Sequence, residues 1–132
     1  MNDNEFIRQF EDCTLSPDHF HHQNHVRLAW LYLQKYDTLA AVARFSQGLK
    51  RYAASLGKAT LYHETITFAY IFLIQERRAR GGETTWQAFA EHNRDLLDWQ
   101  DNILKRFYRE TTLKSDLAKQ VFLFPDKISN ER

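Results

Sequence analysis

The sequence predicts an all-α protein, a single-domain bundle of five to six helices around a buried central helix. Apolar residues recur three and four positions apart along most of the chain, whereas the strict alternation that is typical of strands is absent. Only four glycines and two prolines occur among the 132 residues, and all of them except Gly48 fall between the helical segments. Because this length suits one domain, we expect residues 1–132 to form a single unit with a frayed tail over 126–132.

The first three predicted helices follow one another closely. The first begins after Asp3 or Asn4 and ends near Cys13. The second covers residues 21–36, and the third covers residues 38–56. Since a very short loop separates the second helix from the third, we expect these two helices to pack as an antiparallel hairpin.

The fourth predicted helix, residues 61–80, contains the most apolar stretch of the chain. Its apolar residues cover every side of the cylinder, which is typical of a helix that is buried all round. We therefore expect it to be the central helix of the bundle, with Phe72 in the core. The residues that form this pattern are Ile66, Phe68, Ala69, Tyr70, Ile71, Phe72, Leu73 and Ile74.

The last third of the chain has weaker helix signals. The glycine pair at 81–82 ends the fourth helix, and a threonine at 84–85 caps the next one. Helical spacing then continues over 86–107, with a break expected near Asn93. A last short helix is predicted over 115–121.

The composition limits the partners and the compartment of the protein. Lysine and arginine number 18 against 17 aspartates and glutamates, so the basic excess that binding to a nucleic-acid backbone requires is absent. The lone Cys13 excludes an internal disulfide, and the polar first residues do not form a signal peptide. The longest uncharged stretch, Thr65 to Gln75, is shorter than the roughly 20 residues that span a bilayer. We therefore expect a soluble cytoplasmic protein without nucleic-acid or membrane partners.

Histidines form the one concentrated set of chemical groups in the sequence. Five of the six histidines occupy positions 19, 21, 22, 25 and 63. His22 and His25 begin a row that continues through mostly apolar residues, so we expect both rings at the mouth of the bundle. Near a helix N-terminus, the partial positive charge favours neutral imidazole, which is the form that binds metal.

A second group of polar residues opens the fourth helix. If the second, third and fourth helices run up, down and up, the N-termini of the second and fourth lie at the same end of the bundle. His63 and Glu64 would then meet His22 and His25. Three imidazoles and a carboxylate can hold a divalent transition metal, zinc, iron, manganese or copper, with a position left open for a small-molecule substrate.

Two classes of function stay open. In the first, the protein is a small metal-dependent enzyme in which Glu64 is a ligand or a base and Tyr62 or Arg27 orients the substrate; without metal, the same residues could act as an acid–base pair. In the second, it is a non-catalytic module for ligand binding or protein interaction. The histidines would then cap backbone groups or form a hydrogen-bond network, and an aromatic surface would support a homodimer.

The aromatic residues suggest further pocket and core positions. Tyr32, Tyr62 and Tyr70 are candidates to line a pocket because each places a hydroxyl at the end of an apolar ring. The three tryptophans are expected in the core, and they are Trp30, Trp86 and Trp99.

The blocks 22–30 (HQNHVRLAW) and 62–67 (YHETIT) contain most of the candidate site residues. In these blocks the chain resembles a family of small, all-helical bacterial proteins without an established activity. The likeness extends to residues 96–97 and 124–126, so it covers most of the chain. It implies one domain and a bacterial source, and it implies that the two blocks belong together, but it names no substrate.

Overall fold

The computed structural model describes residues 1–127 and shows the all-α architecture that the sequence predicts. Over these residues the chain forms seven α-helices and no strand, and none of the helices is long and apolar enough to cross a membrane. The α-helices are α1 (Asp3–Glu11), α2 (His22–Lys35), α3 (Thr38–Ser55), α4 (Glu64–Gly81), α5 (Trp86–His92), α6 (Glu110–Leu113) and α7 (Asp116–Gln120). Short 3-10 turns lie at Pro17–His19, Ala59–Leu61, Arg94–Leu96 and Ile103–Arg106.

Side-chain caps and a glycine fix the ends of several helices. Asp37 Oδ1 accepts a hydrogen bond from the N–H of Ala40 at 2.9 Å and caps the start of α3. Thr85 Oγ1 accepts from the N–H of Ala88 at 3.2 Å, so the second of the two candidate threonines caps α5. Gly82 caps the end of α4, and its φ of 73° lies in the left-handed region that favours glycine.

Helices α2, α3 and α4 pack against one another and form the centre of the bundle. Only Tyr36 and Asp37 separate α2 from α3, and the start of α2 lies opposite the end of α3, so these helices form the predicted antiparallel hairpin. Helix α1 packs on α3, where a Cβ atom at Gly48 would lie 2.7 Å from Phe10 Cε2. The glycine therefore allows the close approach of these two helices.

The prediction that the fourth helix is buried all round is wrong. Phe72 is 43% exposed, and only four residues of α4 are buried. Helices α2, α3 and α7 cover parts of α4, and the face that carries Phe72 is open to solvent. The helix also begins at Glu64 and not at residue 61, because the preceding Ala59–Leu61 form a 3-10 turn. More residues are buried in α2, and they are Val26, Leu28, Ala29, Trp30, Leu31, Tyr32 and Leu33.

The predicted helical stretch over 86–107 is helical mainly in its first part. Helix α5 ends at His92, and the Asn93 amide caps it by donating to a backbone carbonyl of α5 at 2.9 Å. Arg77 of α4 then holds the following turn through two hydrogen bonds to the Asp95 carboxylate, at 3.0 and 2.7 Å. The break near Asn93 is confirmed, and the continuous helix beyond it is wrong because side chains hold this backbone in short turns.

The first turn of α4 also holds the C-terminal segment. Thr65 is fully buried, and its hydroxyl donates to the carbonyl of Val121 at 2.8 Å. The same oxygen accepts a hydrogen bond from the N–H of Leu123 at 3.1 Å. One side chain therefore satisfies two backbone groups of the segment that follows α7.

The predicted frayed tail is wrong for its first two residues. Asp126 Oδ1 accepts from the N–H of Arg109 at 3.0 Å, and the N–H of Lys127 donates to the carbonyl of Phe107 at 3.0 Å. Backbone groups that are paired in this way do not fray freely. The rest of the predicted tail, residues 128–132, lies outside the described residues.

Candidate functional site

A cavity of about 710 Å³ lies between the N-terminal halves of α2 and α4 and the C-terminal half of α3. His22 and His25 reach it from α2, and His63 reaches it from the position before α4. The structure thus brings three of the four predicted metal ligands to one cavity. The prediction that α2 and α4 begin at the same end of the bundle is confirmed.

The lining of this cavity changes from polar to apolar with depth. Asp18, His21 and Lys58 are exposed and lie at the mouth. The histidines occupy the first turn of α2 and the cap of α4, so their polar atoms also collect toward this end. The lining further along the three helices is apolar and buried, and it includes Val26, Ala29, Phe45, Leu49 and Ile74.

His22 is held in one tautomer by a backbone carbonyl. Its Nε2 lies 2.9 Å from the oxygen of Leu96, and because a carbonyl only accepts, Nε2 carries the proton. Nδ1 of the neutral ring is then a hydrogen-bond acceptor. Burial lowers the pKa of His22, an effect that the Leu96 hydrogen bond and the charge of Asp98 oppose. The ring also contacts Tyr70 and Trp99, each with its centroid 4.9 Å away.

His25 is also neutral at physiological pH. Its ring packs against Phe20, with the two centroids 4.0 Å apart. Burial and, to a smaller extent, the neighbouring His22 together lower the pKa of His25 to about 4, although a hydrogen bond to the Phe20 backbone acts in the opposite direction. The cavity wall therefore contains two imidazoles without a positive charge.

His63 has a structural role that uses both of its ring nitrogens. Nδ1 accepts a hydrogen bond from the N–H of Ile66 at 3.1 Å, so the side chain caps α4. With Nδ1 as the acceptor, Nε2 carries the proton and donates to the carbonyl of Leu113 at 2.7 Å. His63 lines the cavity, but neither nitrogen is free to bind metal.

Tyr62 and Glu64 form a pair at the edge of the site. The Tyr62 hydroxyl donates to Glu64 Oε1 at 2.7 Å, and Lys50 Nζ lies 3.9 Å from the same oxygen. Burial, followed by the Glu64 hydrogen bond, raises the pKa of Tyr62. Tyr62 lines the cavity as predicted, whereas Glu64 does not belong to its wall.

Arg27 lies away from the cavity, so the structure gives no support to its predicted role in orienting substrate. Its guanidinium forms an ion pair with Asp3 of α1. The same group lies over the ring of Phe6, 5.0 Å from the centroid. Arg27 therefore joins α2 to α1 and does not line the site.

The predicted metal ligands do not form a complete site. Within residues 1–127, no group of three or more histidine, cysteine, aspartate or glutamate side chains is placed to hold a metal ion. His63 has both nitrogens engaged, and Glu64 lies off the cavity wall. Zinc sites have at least three protein ligands, so His22 and His25 alone do not fit one.

Tyr70 is the second predicted tyrosine that lines the cavity, while Tyr32 does not. Tyr32 instead donates to Glu11 Oε2 at 2.5 Å in another part of the core. Tyr70 is only 7% exposed, and within the described chain its hydroxyl has no hydrogen-bond partner. Burial, followed by the charges of Asp98 and Asp95, raises the pKa of this hydroxyl. Tyr70 therefore lines the cavity with its side chain and contributes a neutral, buried hydroxyl to the cavity wall.

Trp99 is the site residue that the sequence did not reveal. Trp30 is buried as expected, but Trp99 is 48% exposed and covers His22 and Tyr70 at one side of the cavity. It lies in the loop between two 3-10 turns, where helical spacing carries no information. Only the folded chain brings this ring to α2 and α4.

No known protein family, curated protein or solved structure matches the chain. The resemblance of blocks 22–30 and 62–67 to a bacterial family stays a prediction. The function has to be inferred from the cavity and its side chains.

Proposed function

We propose that the protein is a ligand-binding module that takes up a small organic molecule in the cavity beside His22 and His25. The observation that supports this proposal is the cavity itself, about 710 Å³ with an apolar interior and polar groups toward its mouth. Pockets for small molecules in proteins have volumes of roughly 300–1,000 Å³ and combine an apolar lining with a few polar groups.

The state of the two histidines favours binding over acid–base catalysis. A general base is most effective when its pKa lies near the working pH. Burial holds the pKa of His25 at about 4 and also lowers that of His22. Both rings are therefore better suited to hydrogen-bond a ligand than to take up its proton.

The donor atoms also favour a proposal without metal. For His63 to become a ligand, its ring would have to release the N–H of Ile66 and the carbonyl of Leu113. Leaving such groups unpaired in the interior costs about 1–3 kcal/mol each. We therefore propose the second of the two function classes, with His63 as a structural cap.

Binding can be tested with an apolar fluorescent probe and a matched pair of variants. Ala53 lines the cavity, whereas its neighbour Ala54 is exposed on the same helix. Nile red, an uncharged dye, is expected to bind wild-type protein saturably with one dye per chain. Ala53→Phe should lose this binding because the new ring fills the cavity, and Ala54→Phe should retain it.

The dye experiment also has outcomes that would refute the proposal. If wild-type protein shows no saturable binding, the cavity is not a ligand site. If Ala53→Phe and Ala54→Phe bind the dye equally well, the dye occupies an exposed apolar surface such as that around Phe72. Circular dichroism of both variants checks that α3 is retained.

A further inference from the structure

The cavity is polar at one end and apolar at the other, and this limits the shape of its ligand. From His22 to Ala29 the wall extends about 10 Å along α2, at about 1.5 Å per residue. From His63 to Ile74 it extends about 16 Å along α4 on the same basis. Polar side chains lie near the first residue of each interval and buried apolar side chains near the last. A ligand that matches this wall has an elongated apolar body with its polar group at one end.

The fixed tautomer of His22 limits the polar group. Because Nε2 donates to Leu96, the remaining ring nitrogen, Nδ1, is an acceptor. Of the partners that residues 1–127 provide, the side chain of His22 hydrogen-bonds only to this carbonyl. A ligand group that complements Nδ1 must therefore donate a hydrogen bond.

The charged side chains that line the cavity argue against an ionic ligand, and Asp98, whose charge acts on His22 and Tyr70, is not among them. At the mouth, Asp18 and Lys58 have opposite charges and are both exposed, so neither sign predominates there. Glu64 is already paired with Tyr62 and lies near Lys50, and it does not face the cavity. Burying a charge without a partner is costly, and a carboxylate has no hydrogen to donate to an acceptor nitrogen.

We infer that the ligand is an uncharged amphiphile whose terminal hydroxyl or primary amide donates a hydrogen bond to His22 Nδ1. Its elongated apolar body lies along α2, α3 and α4, in contact with Ala29, Phe45 and Ile74. This inference rests on the proposed function, since it names the class of molecule that the same cavity binds. Straight-chain primary alcohols are the simplest members of this class.

Chain length provides the first test, using titration calorimetry of wild-type protein with the alcohols from butanol to dodecanol. Each added methylene is expected to lower the dissociation constant about fourfold, because each one buries further apolar surface. The gain in affinity should level off once the extended alcohol is as long as the cavity wall, about 10–16 Å. Equal affinity for butanol and decanol would overturn the elongated apolar body.

The head group provides the second test. Octanol should bind about fivefold more tightly than heptyl methyl ether, which has the same number of carbon atoms but no hydrogen to donate. Octanol should also bind more tightly than octanoate or octylamine at neutral pH. If octanoate or octylamine binds best, the inference of an uncharged ligand is overturned.

A variant of His22 assigns the head-group effect to one atom. His22→Gln retains an N–H donor for the Leu96 carbonyl and removes the acceptor at the Nδ1 position. This variant should bind octanol and the ether equally well, while the comparison in wild-type protein stays decisive even if the variant does not fold. If Nile red binding still responds to Ala53→Phe but no alcohol binds, the ligand class is wrong and the proposed function stands. If neither the dye nor any alcohol binds in the cavity, the proposed function fails.

Discussion

The unpaired hydroxyl of Tyr70 leads to a prediction about stability. This hydroxyl is buried and has no partner within residues 1–127, whereas the hydroxyl of Tyr52, also a buried residue, donates to the carbonyl of Leu15 at 2.7 Å. Tyr70→Phe removes the unpaired group and retains the ring, which contacts His22 and Trp99. The expected effect is a more stable protein, the opposite of the usual result of a core substitution.

The magnitude follows from the cost of an unpaired polar group. A buried hydroxyl without a hydrogen bond costs about 1–3 kcal/mol, so Tyr70→Phe should raise the free energy of unfolding by about that amount. For a chain of this size, each 1 kcal/mol raises Tm by about 3–6 °C. Tyr52→Phe should instead lower the free energy of unfolding by about 1–3 kcal/mol, since it leaves the Leu15 carbonyl unpaired.

Urea unfolding of wild type, Tyr70→Phe and Tyr52→Phe, followed by circular dichroism, measures both effects. The dependence of the free energy on urea should be the same for all three proteins, because the surface exposed on unfolding barely changes. If Tyr70→Phe is destabilised as much as Tyr52→Phe, the Tyr70 hydroxyl has a partner in solution. The reasoning about the cavity wall would then be wrong.

Three further predictions concern His25, His63 and α4. The pKa of His25 is lowered from 6.5 to about 4, so the unfolded chain binds a proton that the folded chain excludes, and stability should fall as the pH is lowered from 6.5 to 4. His25→Gln should reduce this dependence of stability on pH. A His25 imidazole that titrates near 6.5 in the NMR spectrum would contradict the prediction. Added zinc should leave the Tm of wild-type protein unchanged. His63→Ala should lower the free energy of unfolding by about 1–2 kcal/mol through loss of the cap. A rise in Tm with stoichiometric zinc would show that the predicted metal site exists. Ile71→Ala should lower the free energy of unfolding by about 2–5 kcal/mol because Ile71 is 1% exposed. Phe72→Ala should lower it less, because Phe72 is 43% exposed. Equal losses of stability in thermal unfolding would place Phe72 in the core.

Local signals in the sequence were sufficient for most helices of the fold. Asp37 and Thr85 are caps whose partners lie three residues away, so a short window contains the whole interaction. The same holds for the antiparallel hairpin, which follows from the two-residue connection between α2 and α3. The exposure of Phe72 could not be read in this way, because an apolar run does not reveal how many helices surround it.

The candidate site could be predicted in position but not in chemistry. The order of the helices along the chain was sufficient to predict that His22, His25 and His63 lie at the same end of the bundle. The atoms that decide what each ring can bind come from distant segments, since His22 is paired with Leu96 and His63 with Leu113, 74 and 50 positions away. No periodic pattern contains such pairs, and the Leu113 pair, together with the local cap at Ile66, leaves His63 without a free nitrogen for the predicted metal.

The first turn of α4 gives the C-terminal segment a part in the cavity. Thr65 satisfies the backbone of Val121 and Leu123, and His63, two positions earlier, satisfies Leu113 while lining the cavity. Local opening of the chain from α6 onward would therefore release Thr65 and His63 from their backbone partners at the same time. The amide hydrogens of Leu123 and Ile66 should exchange as one cooperative unit. A molecule that fills the cavity would then slow hydrogen exchange in the segment after α7, although it does not contact that segment.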